Sequence, residues 1–402
     1  MIRSIKVSIK FANSKKKDQA CDLIDEYRLV VIKFVNILWE LDNPPMLLPL
    51  TITSKVTTRL SARLKQCAGK QASGIVRGTL KKQSQRLYIY NKLLAEGKTK
   101  QARKLKAIMD KVKITKPTIN NIEMELDSRF IKQDWENKTT FDGIITLASL
   151  GNKLKLTLPV KKTKHFKKLL ARGGKLKSGI RLSKRNITLM LDMPDVELKE
   201  TGKTVGLDLG INNTYSLSTG DISSPCPHGH DLHSITKTLS RKKRGSKAFK
   251  KAQTNYINYS FNQIDLSNID ILRIENIKYL RKHRRTSRFL SHFTYTELYR
   301  KLKDLAETNG VRLVKVNPVY TSQRCSDCGW VRRGNRKGKL FKCNLCKFTA
   351  DSDINAANNI ATNLRKITSK ERQLHKNRKG FYLNEVGEKR IVSPTQKQNV
   401  VI

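Results

Sequence analysis

The sequence predicts a multidomain α+β protein: an antiparallel β-barrel with an inserted helical domain, then an α/β domain on a mixed sheet with an inserted zinc ribbon. Three observations predict it. Strand-period segments at the start of the chain and after Pro117 flank a long helix-period stretch. From Val205 the order becomes strand, strand, basic linker, helix, strand, helix, strand. Two Cys-x-x-Cys pairs interrupt that second half.

Residues 1–11 alternate, with Ile5, Val7, Ile9 and Phe11 on one face and Ser4, Lys6, Ser8 and Lys10 on the other, as a half-buried strand does. From Lys15 to Leu41 the period becomes helical: Ala20, Leu23, Ile24, Tyr27, Val31, Phe34, Val35 and Leu38 share one stripe. Pro44, Pro45 and Pro49 end that helix. Between Ser54 and Lys113, Leu60, Leu64, Leu80, Leu87, Leu94 and Leu105 anchor a small basic helical domain, read as broken near Gly69–Gly78 and again near Gly97. Strands then return. Leu154, Leu156, Leu158 and Val160 alternate with polar residues, as do Ile187, Leu189, Leu191 and Met193 after a turn at Ser183–Asn186. Lys161–Lys177 between them is almost a basic tract, with His165 and Phe166 in its middle, and reads either as a phosphate contact or as a solvated loop. The expected domains are a β-barrel domain at 1–11 and 118–202, a basic helical domain at 12–117, an α/β domain at 203–322 and 348–362, a zinc ribbon at 323–347, and a basic tail at 363–402 whose weak periodicity reads as disorder.

Charge narrows the class of partner. Lys and Arg number 82 against 33 Asp and Glu, a formal charge of +49 spread along the whole chain. That distribution favours a long polyanion held across several domains, bound in a salt-dependent manner. No run of about 18 apolar residues, signal peptide or lipidation motif supports a membrane partner. Seven cysteines, an odd number with four at metal-ligand spacing, point to a reducing, intracellular compartment and not to a disulfide framework.

Three acids are candidates for chemistry. Val205-Gly206-Leu207-Asp208-Leu209-Gly210 is an apolar strand ending in an aspartate, a residue expensive to bury unless a cation or hydrogen bonds compensate it; taken alone, Asp-Leu-Gly after a strand reads equally as a turn. The strand Ile269–Glu275 also ends in a carboxylate, and two such strand ends in one sheet can lie side by side. Asp353 begins a segment of small residues, Ile354-Asn355-Ala356-Ala357, that would let a helix pack closely on the sheet; Asp351 competes with it, as a helix cap or as an alternative ligand. Converging carboxylates repel unless divalent cations lie between them. A pair of Mg²⁺ ions does this, activates a water and stabilises the leaving oxygen of a phosphodiester.

Cys325-Ser326-Asp327-Cys328 and Cys343-Asn344-Leu345-Cys346, with fourteen residues between the pairs, form the strongest local signal. Four thiolates complete a closed tetrahedral Zn²⁺ site with no open position for water, which makes the zinc structural. Arg332, Arg333, Arg336, Lys337 and Lys339 between the knuckles would let the ribbon lie along a nucleic-acid backbone. Cys226, His228, His230 and His233 form a looser cluster of irregular spacing, read either as a second metal site or, in preference, as solvated loop residues. Cys21 and Cys67 lack the neighbouring His and acid of a nucleophile.

Gly206-Leu207-Asp208-Leu209-Gly210, Ile274-Glu275, Tyr320-Thr321-Ser322-Gln323-Arg324-Cys325-Ser326-Asp327-Cys328-Gly329 and Asp353-Ile354-Asn355-Ala356-Ala357 occur in that order, with the ribbon just before the last acid. Over residues 203 to about 362 this arrangement resembles the TnpB nucleases of bacterial insertion sequences and their relatives, the miniature type V CRISPR effectors. The first half resembles them in layout alone. The resemblance implies an RNase H-like (RuvC) fold and an enzyme that holds a structured guide RNA, reads a short duplex motif, and opens and cuts complementary double-stranded DNA. It also implies that Asp208, Glu275 and Asp353 are the catalytic acids and Mg²⁺ ligands, and that the four ribbon cysteines hold zinc. The working particle would be a monomer or a homodimer on one RNA. It would be cytoplasmic, encoded by a bacterium, archaeon or phage, and nucleoid-associated when on DNA. One departure is the short stretch between Asp208 and Glu275, whose helix looks thin. Competing readings are an RNA-guided DNA-binding repressor, which would be expected to have lost an acid, a guide-independent structure-specific nuclease, and, more weakly, a transposase.

Overall fold

A computed structural model describes residues 1–111, 114–136, 139–149, 153–210, 212–241, 247–277 and 288–386. It divides into two compact units, Met1–Asp195 and Val196–Ile402.

The first unit begins with β1 (Ile2–Ser8) and α1 (Ser14–Trp39), whose Asn13 cap accepts from the Lys16 N–H at 2.9 Å. The stripe from Ala20 to Leu38 is buried as its spacing requires. After the prolines come α2 (Leu50–Thr53), α3 (Ala62–Ala95) and α4 (Thr99–Lys111). The expected break near Gly69–Gly78 does not occur, and α3 runs through all three glycines. Each glycine costs a helix interior about 1 kcal/mol. Packing of the Leu64–Val76 face, including Leu48 pressed against the bare Cα of Gly69, offsets that cost. The break expected at Gly97 is present, where φ of +67° turns the chain into α4.

β2 (Met124–Leu126), β3 (Ile131–Asp134), β4 (Gly143–Ser149), β5 (Leu154–Val160), α5 (Lys164–Ala171), β6 (Lys175–Leu182) and β7 (Asn186–Asp192) follow. The strands form two antiparallel sheets, ordered β1-β7-β6-β2 and β3-β4-β5. This corrects the expected barrel: no closed barrel is present among the described residues. The chain leaves one sheet for the other through a short 3₁₀ turn at Ser128–Phe130, capped by Asp127. Alternation reports which face of a strand is buried, not which neighbour it bonds, so closure was not readable from it. One further expectation changes: the middle of the basic tract is not a solvated loop but the helix α5, and Phe166 is fully buried, edge-on to Trp135 at 5.3 Å. Residues of α1, α3, α5 and both sheets share one apolar cluster running from Ile5 to Leu191.

The second unit holds β8 (Lys203–Asp208), β9 (Ser216–Leu217), α6 (Leu232–Arg241), α7 (Lys247–Phe261), β10 (Ile269–Glu275), α8 (Arg288–His292), α9 (Tyr295–Thr308) and β11 (Arg312–Val316). Its sheet is ordered β11-β10-β8-β9. β10 is parallel to both neighbours and β9 antiparallel to β8, the mixed sheet expected. The stretch between Asp208 and Glu275 is less thin than it reads, since α7 buries Tyr256, Ile257 and Phe261. β12 (Trp330–Val331), β13 (Arg336–Lys337), β14 (Leu340–Lys342), β15 (Thr349–Asp351) and α10 (Ser352–Ala361) follow.

Residues 363–386 are not the disordered tail expected. They form α11 (Ser369–Lys376), opened by a Thr368–Glu371 capping box, and β16 (Phe381–Tyr382), which pairs with β12 and buries Phe381 and Leu383. The rest of the expected tail, 387–402, lies outside the described residues. No described helix is long and apolar enough to cross a membrane.

Candidate functional site

The register of the sheet brings two of the acids together. Ile274 of β10 pairs with Leu207 of β8, so Glu275 and Asp208 follow one another out of the ends of adjacent parallel strands. The third acid arrives on α10, which lies directly on β8. A Cβ on Gly206 would stand 2.0 Å from the Ala357 carbonyl oxygen and 2.4 Å from the Ala361 nitrogen, so only glycine admits the helix at this depth. The small residues Ala356 and Ala357 form the matching buried surface.

Asp351 and Asp353 take different positions. Asp351 caps α10, its Oδ1 accepting from the N–H groups of Asp353 (2.8 Å) and Ile354 (3.2 Å). Asp353 turns into a cavity of about 760 Å³ that is also lined by Asp208, Glu275, Thr321, Arg336 and Lys339. There Asp353 Oδ2 accepts from Asn213 Nδ2 at 3.2 Å, and Oδ1 pairs with Arg336 Nη2 at 3.0 Å. Glu275 accepts a hydrogen bond from the Thr321 hydroxyl, and its main-chain carbonyl accepts from the Tyr295 hydroxyl at 2.7 Å.

The cavity resists its own charge. Burial, then the charges of Glu275 and Asp353, push the Asp208 carboxyl up to about 7, with Arg336 acting in the opposite sense. Burial also raises Glu275, against the Thr321 hydrogen bond and Arg336. Three carboxylates in one half-dry cavity with one close guanidinium form a donor set of the kind that hard divalent cations occupy. Their oxygens are not all within 4.8 Å of one another, as the four cysteine sulfurs are.

Among the described residues, Cys325, Cys328, Cys343 and Cys346 are the one group of three or more potential ligands within 4.8 Å of one another. The Cys325–Cys346 and Cys328–Cys343 sulfurs are each 3.7 Å apart. Zn–S bonds of about 2.3 Å in a tetrahedron place sulfurs about 3.8 Å apart, so the cluster has the dimensions of a zinc site. Cys226, His228, His230 and His233 are not brought together in this way: Cys226 and His230 meet through a main-chain hydrogen bond, and the His233 ring meets Phe289 at a tilt, 5.2 Å between centroids.

Several residues of this site escaped the sequence reading. Arg336, read with its neighbours as a backbone contact, is half-buried against Asp353, whereas Arg332, Arg333, Lys337 and Lys339 are exposed. Asn355 and Asn359, one turn apart on α10, fasten the helix to the ribbon. Asn355 Nδ2 donates to the Arg324 carbonyl (2.8 Å) and Asn355 Oδ1 accepts from the Ser326 N–H (3.0 Å). Asn359 Nδ2 donates to the carbonyls of Thr321 (2.9 Å) and Arg324 (2.7 Å). An i, i+4 pair of buried amides was the available signal.

Comparison with known proteins bears on this half of the chain. Residues 188–323 match the OrfB family of IS605, described as "Probable transposase", and residues 295–360 match the "Cas12f1-like, TNB domain". Residues 188–360 are TnpB- and Cas12f1-like. Over 76 residues this chain is 50% identical to the CRISPR-associated endodeoxyribonuclease Cas12f1 of Sulfoacidibacillus thermotolerans, covering 19% of this chain and 18% of that protein. It is 25% identical over 191 residues to the "Putative RNA-guided DNA endonuclease InsQ" of Escherichia coli, covering 39% and 48%. A solved Cas12f1–sgRNA–target DNA complex aligns with a TM-score of 0.45 and 16% identity, over 90% of this chain and 99% of that one. The chain thus spans less than half the length of these two curated relatives.

Proposed function

We propose that this protein is an RNA-guided DNA endonuclease. Asp208, Glu275 and Asp353 would hold two Mg²⁺ ions on an RNase H-like, RuvC-type domain, and the four ribbon cysteines one structural Zn²⁺. The observation that carries the reading is the convergence of three acids, distant in sequence, on one cavity at the ends of β8 and β10 and the start of α10. The names borne by the chain's relatives support the choice of substrate.

Asp208, Glu275 and Asp353 would hold the paired magnesium, which when bound would supply water activation and neutralise phosphodiester charge. The chain's own residues do the rest. The β8–β10 register fixes the first two acids, the Thr321 hydroxyl orients Glu275, and Asn213 and Arg336 orient Asp353. Arg336 and Lys339 bring positive charge to the wall where a scissile phosphate would lie. Cys325, Cys328, Cys343 and Cys346 would hold a structural zinc that steadies the ribbon presenting Arg336. The +49 charge suits a guide RNA and a target DNA duplex held together, on a monomer or a homodimer sharing one RNA, in the cytoplasm.

The test is to purify the protein without nuclease treatment, sequence the RNA it retains, and offer it guide-matched and mismatched duplex DNA with Mg²⁺. Cleavage confined to matched DNA is expected, together with an Asp208→Ala variant that retains the RNA and does not cut. Cutting by that variant, or the absence of any defined RNA, would refute the reading.

A further inference from the structure

Tyr320 lies outside the acid cavity, yet it is one of four described non-glycine residues with positive φ, at +66°. The left-handed region is uncommon for any side chain and a genuine outlier for a bulky one, so such a conformation persists only where the surroundings over-determine it. Here the surroundings come from the segment after α10. The Tyr320 ring stacks on His375 of α11 at 4.2 Å and meets Phe381 of β16 edge-on at 5.6 Å. His375 is buried, and its Nε2 lies 2.6 Å from Gln323 Oε1, three residues beyond Tyr320. The Tyr320 carbonyl accepts from the N–H groups of both Gln323 and Arg324 at 2.9 Å, closing the turn that the positive φ begins.

The residue that follows Tyr320 is Thr321, which is buried and donates its hydroxyl to Glu275. Relaxation of Tyr320 towards negative φ would swing the Thr321 hydroxyl away from that carboxylate. We propose that His375 and Phe381 are positioning residues for the acid cavity: they clamp Tyr320 in its left-handed conformation and thereby hold Thr321 on Glu275. The clamp reaches back from beyond the last acid, through a segment anchored by the Arg365–Glu371 ion pair and by the β12–β16 ladder. This inference rests on the proposed function only in taking Glu275 to be a metal ligand; the clamp itself is a statement about backbone conformation.

The test uses the full chain with its co-purified RNA and Mn²⁺ as the probe cation, measured by electron paramagnetic resonance of the free ion. Replacing the clamp (His375→Ala with Phe381→Ala) should leave RNA retention intact and weaken Mn²⁺ affinity roughly tenfold, the order expected for release of one strained residue. Adding Tyr320→Gly should bring the affinity back to within about twofold, because glycine adopts this φ without a clamp. Tyr320→Gly alone should bind Mn²⁺ as the parent does, and this variant keeps the question answerable if the double substitution does not fold. Unchanged affinity in the clamp variant, no recovery on adding Tyr320→Gly, or loss of affinity in Tyr320→Gly alone would overturn the proposal. Hydrogen exchange of residues 317–324 in EDTA reads the clamp without any metal, with faster exchange expected in the clamp variant and restoration by Tyr320→Gly. If the parent bound no Mn²⁺ that depends on Asp208 while this exchange pattern held, the proposed function would fail and the conformational clamp would stand.

Discussion

Asp208→Asn in metal-stripped protein should trade activity for stability. Burial and the charges of Glu275 and Asp353 push the Asp208 carboxyl up to about 7 from an ordinary 3.8. With the folded-state pKa above the unfolded one, the unfolded chain gives up the proton first. Stability is therefore fully present below about pH 4, falls as pH rises to about 7, and then levels off. At about 1.4 kcal/mol per pH unit, the carboxyl costs the fold about 4 kcal/mol at pH 8 and about 2 kcal/mol at pH 5. An amide carries no charge at either pH, so the substitution should stabilise the sheet by amounts of that order, with the larger gain at pH 8. Hydrogen exchange of peptides covering 203–208 and 269–275, measured in EDTA with increasing urea, reads the sheet without interference from the first unit. A gain that is equal at the two pH values, or larger at pH 5, would show that the buried charge is not the cause. Excess Mg²⁺ should reverse the order, because the cation stabilises the carboxylate and not the amide.

Three other outcomes are expected. Gly206→Ala sets a Cβ 2.0 Å from the Ala357 carbonyl and must lift α10 off β8; a loss of about 3 kcal/mol is expected in urea unfolding of the second unit, and a change below about 0.5 kcal/mol would contradict the packing described. Arg336→Ala removes the cation that lowers both Asp208 and Glu275, so the pH–rate profile for DNA cleavage should move to higher pH; an unmoved profile would detach Arg336 from the acids. Cys343→Ser should reduce bound zinc, measured by elemental analysis, from one ion per chain towards none, and expose residues 323–347 to hydrogen exchange while β1 and β7 keep their protection.

The legible parts of this protein were those written in local patterns. Strand ends at Asp208 and Glu275, the α1 stripe and the cysteine spacing each carry their own period or interval, and each element lies where that pattern puts it. What escaped depends on contacts between distant segments. The two first-unit sheets share a core but are separately bonded, a distinction alternation does not encode. α11 and β16 are too short to show a period, and they fold because Phe381, Leu383 and His375 find cover on Tyr320 and Val331. Arg336 looks like its basic neighbours, and only the hairpin geometry of β13 and β14 turns it onto Asp353 while Arg332, Arg333 and Lys337 face water.

A ten-residue α10 is too short to be stable in isolation, so its address is fixed wholly by what it touches. One side rests on a bare strand at Gly206, another presents two amides to the ribbon, and its first turn lends a carboxylate to the cavity. A single inserted residue would rotate everything beyond it by about 100° and misalign the alanine face and the amide face together. Length variation should therefore collect before β15 and after Thr362, leaving the helix itself a fixed ruler between cysteine knuckle and sheet.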